Sequence, residues 1–576
     1  MSGKVLVLGG DPRAFLAVVR SLGRRGLEVH AGWCSPDSPA CRSRYLRTVH
    51  DLPPFSPDDL AWKEALLGLL EREGFDLLIP CEDPTLLPVR AYRSEFEAVV
   101  RVAIPEERAL AVAFDKIRSY ELAQALGLRV PRGRVLERAE DLEVLHLRAP
   151  LVLKPRTTFA YPDLTNRRGV RTFLDLASLR AFLAQTGVGE PVLVQEFFSG
   201  IGVGVEVLAD RGEVLVAFQH ERVHEPLRGG GSSYRRSVPL DPELLEASRR
   251  LMAALGYRGV AMVEFRRNPR TREWVFLEIN GRFWGSLPLA VASGADFPYY
   301  LYRLLVHGER SFPKQYRVGL YCRNLTLDLV WLREYLSSTR SLPEFAPRPW
   351  EVLAEATHVL RLVERSDTFT RDDPGPGWAE LLHIVRSGSA RVRSRLRRMF
   401  LQLGPVRRTQ VGRLRSRLAQ ARTVLFVCRG NICRSPFAEA YAARTFPASV
   451  RVGSAGARAK PGTASPPEAI AAAAAFGVDL RSHRAMRLSP EQLEEADVVL
   501  VFDLADLERI RHEHSRYAGK AFLLGLALED GDAVIADPYG HPDRFFATYA
   551  RIVQALDRAG RWLSRSESVP EAEGAG

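Results

Sequence analysis

Twelve arginines and not one aspartate or glutamate stand between Arg386 and Arg422. Charge of one sign at this density reads as a linker, because like charges taken out of water without partners are costly. The stretch therefore cuts the chain of 576 residues into a long part and a shorter one behind it. It also carries the whole formal excess of +12, so the rest of the chain sums to zero. The charge belongs to one segment and no recognition motif accompanies it, so nucleic acid is not expected as a partner.

The remaining composition is that of soluble globular material, 46% hydrophobic and 26% charged. No run of apolar residues is long enough to span a bilayer, and the opening KVLVLGG reads as a first strand and not as a cleavable leader, which predicts a cytoplasmic location. The six cysteines lack zinc-type pairing, so neither a disulfide framework nor a structural metal is expected.

Residues 1–110 alternate strands (KVLVLGG, LEVHAG, FDLLIP) with helical stretches, an amphipathic one at Ala14 to Arg25 and another near Trp62 to Glu73. That alternation predicts a small parallel α/β unit. Residues 111–310 change to runs such as PLVLKP, PVLVQEFF, GVGVEVLAD and REWVFLEIN, an α+β pattern with antiparallel hairpins. Residues 311–421 are expected to be irregular and helical, ending in the arginine-rich linker. A second α/β unit with a parallel sheet follows at 422–565, then a polar tail at 566–576.

In that second unit CRGNICRS, residues 428–435, lies between a buried strand, TVLFV, and a helix that has proline in its first turn. A loop running from a strand into a helix N-terminus turns successive N–H groups inward and cradles an anion the size of phosphate. Cys428 at its mouth would be held as a thiolate, the form that attacks phosphorus. Arg434 offers a planar fork for equatorial oxygens. Asp537, in ADPYG, is the candidate acid for the leaving group. With GNICRSP, SAG (454–456), SHRA (482–485), ADVVLVFD (496–503) and DPY in this order, the segment resembles the low-molecular-weight protein tyrosine phosphatases over about 140 residues.

The resemblance implies Cys428 as nucleophile, Arg434 as phosphate binder, Asp537 as general acid, Asn431 shaping the loop and Ser435 bonding the thiolate. It also implies Cys433 as partner of the nucleophile in a reversible disulfide. By family analogy the substrate is a phosphoprotein, such as a bacterial tyrosine kinase of surface-polysaccharide export. No cysteine follows Cys433, which speaks against an arsenate reductase, and Ile432 stands where arginine phosphatases of the family carry threonine. Lys460 stands in the vicinity where many members line the cleft with an aromatic residue, which leaves Tyr539 as the ring partner.

In the middle region Glu278 and Asn280 are two apart on one strand and share a face. A hairpin symmetric about Arg270 would set Glu264 opposite Phe276 on that face. Two carboxylates and a carboxamide suit Mg2+ carrying polyphosphate. Lys116 and Lys154 are placed as phosphate partners, and Gln195-Glu196 ends a strand as an adenine-edge hinge could. Together these residues resemble the ATP-grasp superfamily, with EINGRFWGSLPLA and GADFP similar to its carboxylate-amine ligases, and the first 110 residues similar to the Rossmann-like domain that precedes it. The resemblance implies that Lys116, Lys154 and Glu196 contact ATP, that Glu264, Glu278 and Asn280 hold Mg2+, and that Arg282 steadies the transferred phosphate. ATP would then phosphorylate a small-molecule carboxylate and an amine would displace the phosphate. The glycine-rich loop expected after Lys154 is replaced by RTTFAYPDLTNRRG, and Glu206 only loosely matches the ribose-binding carboxylate, so a nucleotide- or metabolite-sensing module that regulates the phosphatase stays open as the alternative. Gly9-Gly10 falls short of a dinucleotide fingerprint, and NAD is not inferred.

The basic segment interleaves arginine with Val, Leu, Met and Phe at near-helical spacing, broken at Gly404-Pro405. A solvated connector, docking on anionic lipid headgroups at a membrane surface, and docking on an acidic partner all fit this pattern.

Overall fold

A computed structural model describes residues 3–138, 141–142, 146–164, 167–226, 231–337, 343–541 and 544–563. The chain forms two compact units, Met1–Ile384 and Val385–Gly576. The tail expected at 566–576 lies outside the described residues.

The first unit opens with five parallel strands, β1 (Lys4–Leu8), β2 (Glu28–Gly32), β3 (Leu46–His50), β4 (Leu77–Pro80) and β5 (Arg101–Val102), ordered β3-β2-β1-β4-β5. The Ala14–Arg24 helix, expected to keep a wet face, is buried from Ala14 through Leu22. Its apolar side joins the core of the sheet. Its polar side is covered by a later segment, because Arg20 donates to Asp373 Oδ2 (2.9 Å) and to the carbonyls of Asp367 and Thr368. At the end of β1 the amides of Gly10 and Asp11 both donate to Glu82 Oε1 at 2.9 Å. One expectation is corrected here. Cys34 and Cys41 are joined in a disulfide, a single local bridge that the turn at Pro39–Arg42 brings together and that spacing alone did not signal.

Two further sheets follow, one antiparallel and one antiparallel except for its last pair of strands. Strands β6 (Gly133–Leu136), β7 (Leu151–Pro155), β8 (Arg171–Phe173) and β9 (Val192–Glu196) form a sheet ordered β6-β9-β7-β8. Strands β10 (Ile201–Asp210), β11 (Glu213–His224), β12 (Tyr234–Val238), β13 (Gly259–Arg267), β14 (Trp274–Asn280), β15 (Tyr321–Arg323) and β16 (Glu364–Ser366) form the other, ordered β14-β13-β10-β11-β12-β15-β16. Residues 311–384, read as irregular and helical, thus add two strands to this sheet, β15 against β12 and β16 at the edge, paired parallel to each other. Buried charge holds them there. The ring of His224 meets Asp328 at 2.7 Å and Glu355 at 2.8 Å and stacks on Trp331. Burial opposes the imidazolium, but the two carboxylates outweigh it and raise its pKa. Arg235 and Asp367 pair with both side chains at 0% exposure.

The second unit holds four parallel strands, β17 (Thr423–Cys428), β18 (Arg451–Gly456), β19 (Val498–Val501) and β20 (Ala521–Leu523), ordered β18-β17-β19-β20. The basic segment is helical on both sides of the expected break, at Gly375–Gln402 and Gly404–Leu418. Its second helix is no free connector. Leu414 and Leu418 are fully buried in the core that contains Val424 and Phe426.

Candidate active site

Strand β17 delivers Cys428 to the start of a loop that ends where the helix Arg434–Thr445 begins. The thiol is 3% exposed. Its sulfur lies 3.1 Å from Ser435 Oγ and accepts the Asn431 amide at 3.2 Å. Asn431 sets the shape of the loop. Its φ is +52°, in the left-handed region, where asparagine is tolerated better than most residues. Its side-chain amide donates to Ser435 Oγ (2.9 Å) and Ser454 Oγ (2.8 Å), and its carbonyl oxygen accepts from the Met486 amide (2.8 Å). His483 Nε2 meets the Asn431 main-chain oxygen at 2.8 Å. Gly456 explains the last position of SAG, because a Cβ there would stand 2.8 Å from the Asn431 nitrogen and 2.9 Å from the Gly430 carbonyl carbon.

Arg434, 1% exposed, is held by three acidic neighbours and one carbonyl. Nη1 donates to Asp503 Oδ2 (2.8 Å) and the Ile535 carbonyl (3.1 Å), while Nη2 meets Asp537 Oδ2 at 3.0 Å and Asp506 at 4.0 Å. Its Nε is buried and has no hydrogen-bond partner among the described residues. Burial and then the charge of Asp503 push the Asp506 carboxyl up to about 6. Asp537 is 41% exposed at the side chain and so reaches both the arginine and solvent. Burial, followed by the charge of Cys428, raises the Cys433 thiol well above its ordinary range. Tyr539 is exposed two residues beyond the acid.

In the first unit the register expected for the β13–β14 hairpin is corrected. A bulge between Glu264 and Phe265 sets Glu264 opposite Glu278 and moves Phe276 opposite Phe265, leaving Leu277 without a partner. The released Leu277 carbonyl accepts Lys154 Nζ at 3.2 Å. Asn280 Nδ2 donates to Glu264 Oε1 (2.9 Å), Arg222 Nη2 donates to Glu264 Oε2 (2.7 Å), and Lys116 Nζ lies 3.2 Å from Glu278 Oε2. Burial lowers the Lys154 ammonium to about 8. Burial also works against the charge of Glu278, but Lys116 and Lys154 outweigh it and hold that carboxyl at about 2.

The period of a strand separates the two hinge residues. Gln195 pairs with Val152 and shares a face with Lys154, whereas Glu196 points to the opposite face and accepts the Arg148 amide at 3.0 Å. Gln195 Oε1 is buried with no hydrogen-bond partner among the described residues. Arg282 donates to Asp83 (2.5 Å) and borders a cavity of about 380 Å³ whose walls include Arg93, Ile104 and Arg258. Glu206 is fully buried, 3.0 Å from His220 and bonded to Ser286, away from any surface a ribose could reach. Two carboxylates and a carboxamide on paired strands, ringed by Lys116, Lys154 and Arg222, with an orphan acceptor at Gln195, fit a divalent cation and a polyphosphate.

Residues 423–569 are matched by the family model of low molecular weight phosphotyrosine protein phosphatases. A probable low molecular weight protein-tyrosine-phosphatase, EpsP, of Ralstonia nicotianae is 42% identical over 118 residues, covering 20% of this chain and 79% of that protein. The chain belongs to the low molecular weight protein-tyrosine-phosphatase family. Wzb of Escherichia coli, another such phosphatase, is 34% identical over 138 residues, 24% of this chain and 90% of the relative. Residues 189–326 match a model described as ATP-grasp in the biosynthetic pathway with Ter operon, so the chain joins an ATP-grasp domain to the phosphatase domain. Similar solved structures include the biotin carboxylase of Campylobacter jejuni (TM-score 0.46, 17% identity, 56% of this chain and 74% of that one) and the L-amino acid ligase of Bacillus licheniformis (TM-score 0.40, 16% identity, 56% and 78%).

Several supporting residues of the phosphatase domain carry no sign of their role in the sequence, although SAG, SHRA and ADVVLVFD mark their segments. Ser454 of SAG, His483 of SHRA and Asp503 at the end of ADVVLVFD buttress Asn431 and Arg434 across separations of 23, 52 and 69 residues. In the ATP-grasp domain the sequence gives no sign that Arg222 meets Glu264. Arg222 sits near the end of β11, where alternation marks a face but not what the face meets.

Proposed function

We propose that the phosphatase domain hydrolyses phosphomonoesters, protein phosphotyrosine foremost, through a phosphocysteine. The observation that carries this reading is the meeting of Asp537 and the buried Arg434 at 3.0 Å in the same domain as the Cys428 loop. Cys428 Sγ attacks phosphorus, the P–O bond to the leaving group breaks, and Asp537 supplies the proton that the departing oxygen takes. Water then attacks phosphorus with Asp537 as base, releasing phosphate and restoring the thiolate. Arg434 and the loop amides stabilise the equatorial oxygens throughout. Cys433, buried beside this chemistry, is the proposed partner for a protective disulfide. The deciding experiment is hydrolysis of an aryl phosphate and of phosphotyrosine peptides by the full chain under reducing conditions. Cys428→Ser should be dead and Asp537→Ala slowed by about 10² to 10⁴. Equal rates in all three proteins would refute the assignment.

For the ATP-grasp domain we propose ATP-dependent ligation of a carboxylate to an amine. Lys116 and Lys154 would hold the phosphates, Gln195 the adenine edge, and Glu264, Glu278 and Asn280 Mg2+, which screens polyphosphate charge when bound. Arg282 would exchange its bond to Asp83 for one to the transferred phosphate. One observation favours the sensing alternative. Arg222 and Lys116 already neutralise Glu264 and Glu278. ADP release that rises with an added acid and amine supports ligation, while ATP binding without turnover across a broad panel supports sensing.

A further inference from the structure

The helix Gly375–Gln402 carries apolar side chains that the described residues leave about half exposed. Trp378, Leu381, Leu382 and Val385 near its start, and Leu396, Met399, Phe400 and Leu403 at its end, are each 40–60% exposed. In the second unit Leu396, Met399, Phe400 and Leu403 follow the i, i+3, i+4, i+7 spacing and fall within an arc of about 100°. Within the second unit the other side of the helix is docked. Arg397 pairs with Glu508, Arg398 with Asp532, and Leu401 packs against the core. That docking turns Leu396, Met399 and Phe400 outward.

The flanks of the stripe choose its occupant. Arginine is the only charged residue from 386 to 422. Arg395, Arg408, Arg413 and Arg415 are exposed and pair with no carboxylate among the described residues. A second copy of the chain fits poorly, because the arginine rows that flank the stripe would face each other. A surface that is apolar below and negatively charged above satisfies both features. No helix of the described residues is long and apolar enough to cross a membrane, which leaves the helix to lie along the surface.

We propose that this helix lies in the plane of an anionic bilayer, with Leu396, Met399, Phe400 and Leu403 among the acyl chains and the arginines on headgroup phosphates. The phosphatase domain, to which the helix is pinned through Arg397 and Arg398, is thereby brought to the membrane surface.

The test is sedimentation of the full chain with vesicles of phosphatidylcholine carrying about a quarter phosphatidylserine, and with vesicles of phosphatidylcholine alone. Binding is expected to the anionic vesicles only. Met399→Asp with Phe400→Asp should lower partitioning at least about tenfold, since apolar burial is replaced by charge in the acyl region. The milder pair Met399→Ser with Phe400→Ser should lower it less, and aryl phosphate turnover in solution should be unchanged in both, showing an intact fold. Absence of binding to anionic vesicles overturns the proposal. Binding unaffected by the serine and aspartate pairs overturns it too, by showing adsorption through arginine alone. A lipid-free dimer that the aspartate pair dissolves would assign the stripe to a second copy instead.

Discussion

Replacing Asn431 tests whether one side chain holds the phosphate loop. It is fully buried, makes three side-chain hydrogen bonds, to Ser435, Ser454 and Met486, and holds φ at +52°. Each bond is worth about 1 kcal/mol net, so Asn431→Gly, which keeps the left-handed backbone accessible, should cost about 3 kcal/mol. Asn431→Ala loses the same bonds and adds about 1 kcal/mol for a left-handed Cβ. The assay is urea inactivation of aryl phosphate hydrolysis, which reports on the phosphatase domain alone. With a slope of about 2 kcal/mol per molar, the midpoint should fall by roughly 1.5 M for glycine and roughly 2 M for alanine. The order matters more than either size. If alanine proved as stable as glycine or more so, the backbone argument would fail, and an unchanged midpoint in both would remove Asn431 from its structural role.

Further outcomes follow from other contacts. Gly456→Ala forces a Cβ against the main chain of Asn431 and Gly430, so turnover should fall by about tenfold or more while the domain stays folded by circular dichroism. Lys154, lowered to about 8 by burial, is half neutral near that pH in the free protein. ATP should restore its charge, and calorimetry near pH 8 in buffers of different ionisation enthalpy should show uptake of about half a proton, absent in Lys154→Met. The same shift has a stability sign. Between about pH 8 and the ordinary lysine pKa the unfolded chain binds the extra proton, so the first unit gains stability as pH rises through that window, and Lys154→Met should flatten the gain. Asp373→Ala leaves Arg20 buried without its carboxylate and should destabilise the first unit by about 3 to 5 kcal/mol, read by urea unfolding.

The sequence by itself determined what local chemistry dictates. The strand, loop and helix around Cys428, the alternating strands of each unit, the helix break at Gly404-Pro405 and the identities of Glu264, Glu278 and Asn280 all depend on neighbours a few residues apart, where period and turn preference act. Tertiary structure decided whatever rests on a contact between distant segments. The bulge that pairs Glu264 with Glu278 frees a carbonyl that finds Lys154 more than a hundred residues earlier. Arg20 is buried because Asp373 reaches it, and the strands at 321–323 and 364–366 join a sheet through partners such as His224. The basic helices looked like a connector because charge dominates their composition. Two leucines among the arginines place the second helix in a core, since burial is settled by which face meets a partner and not by average polarity.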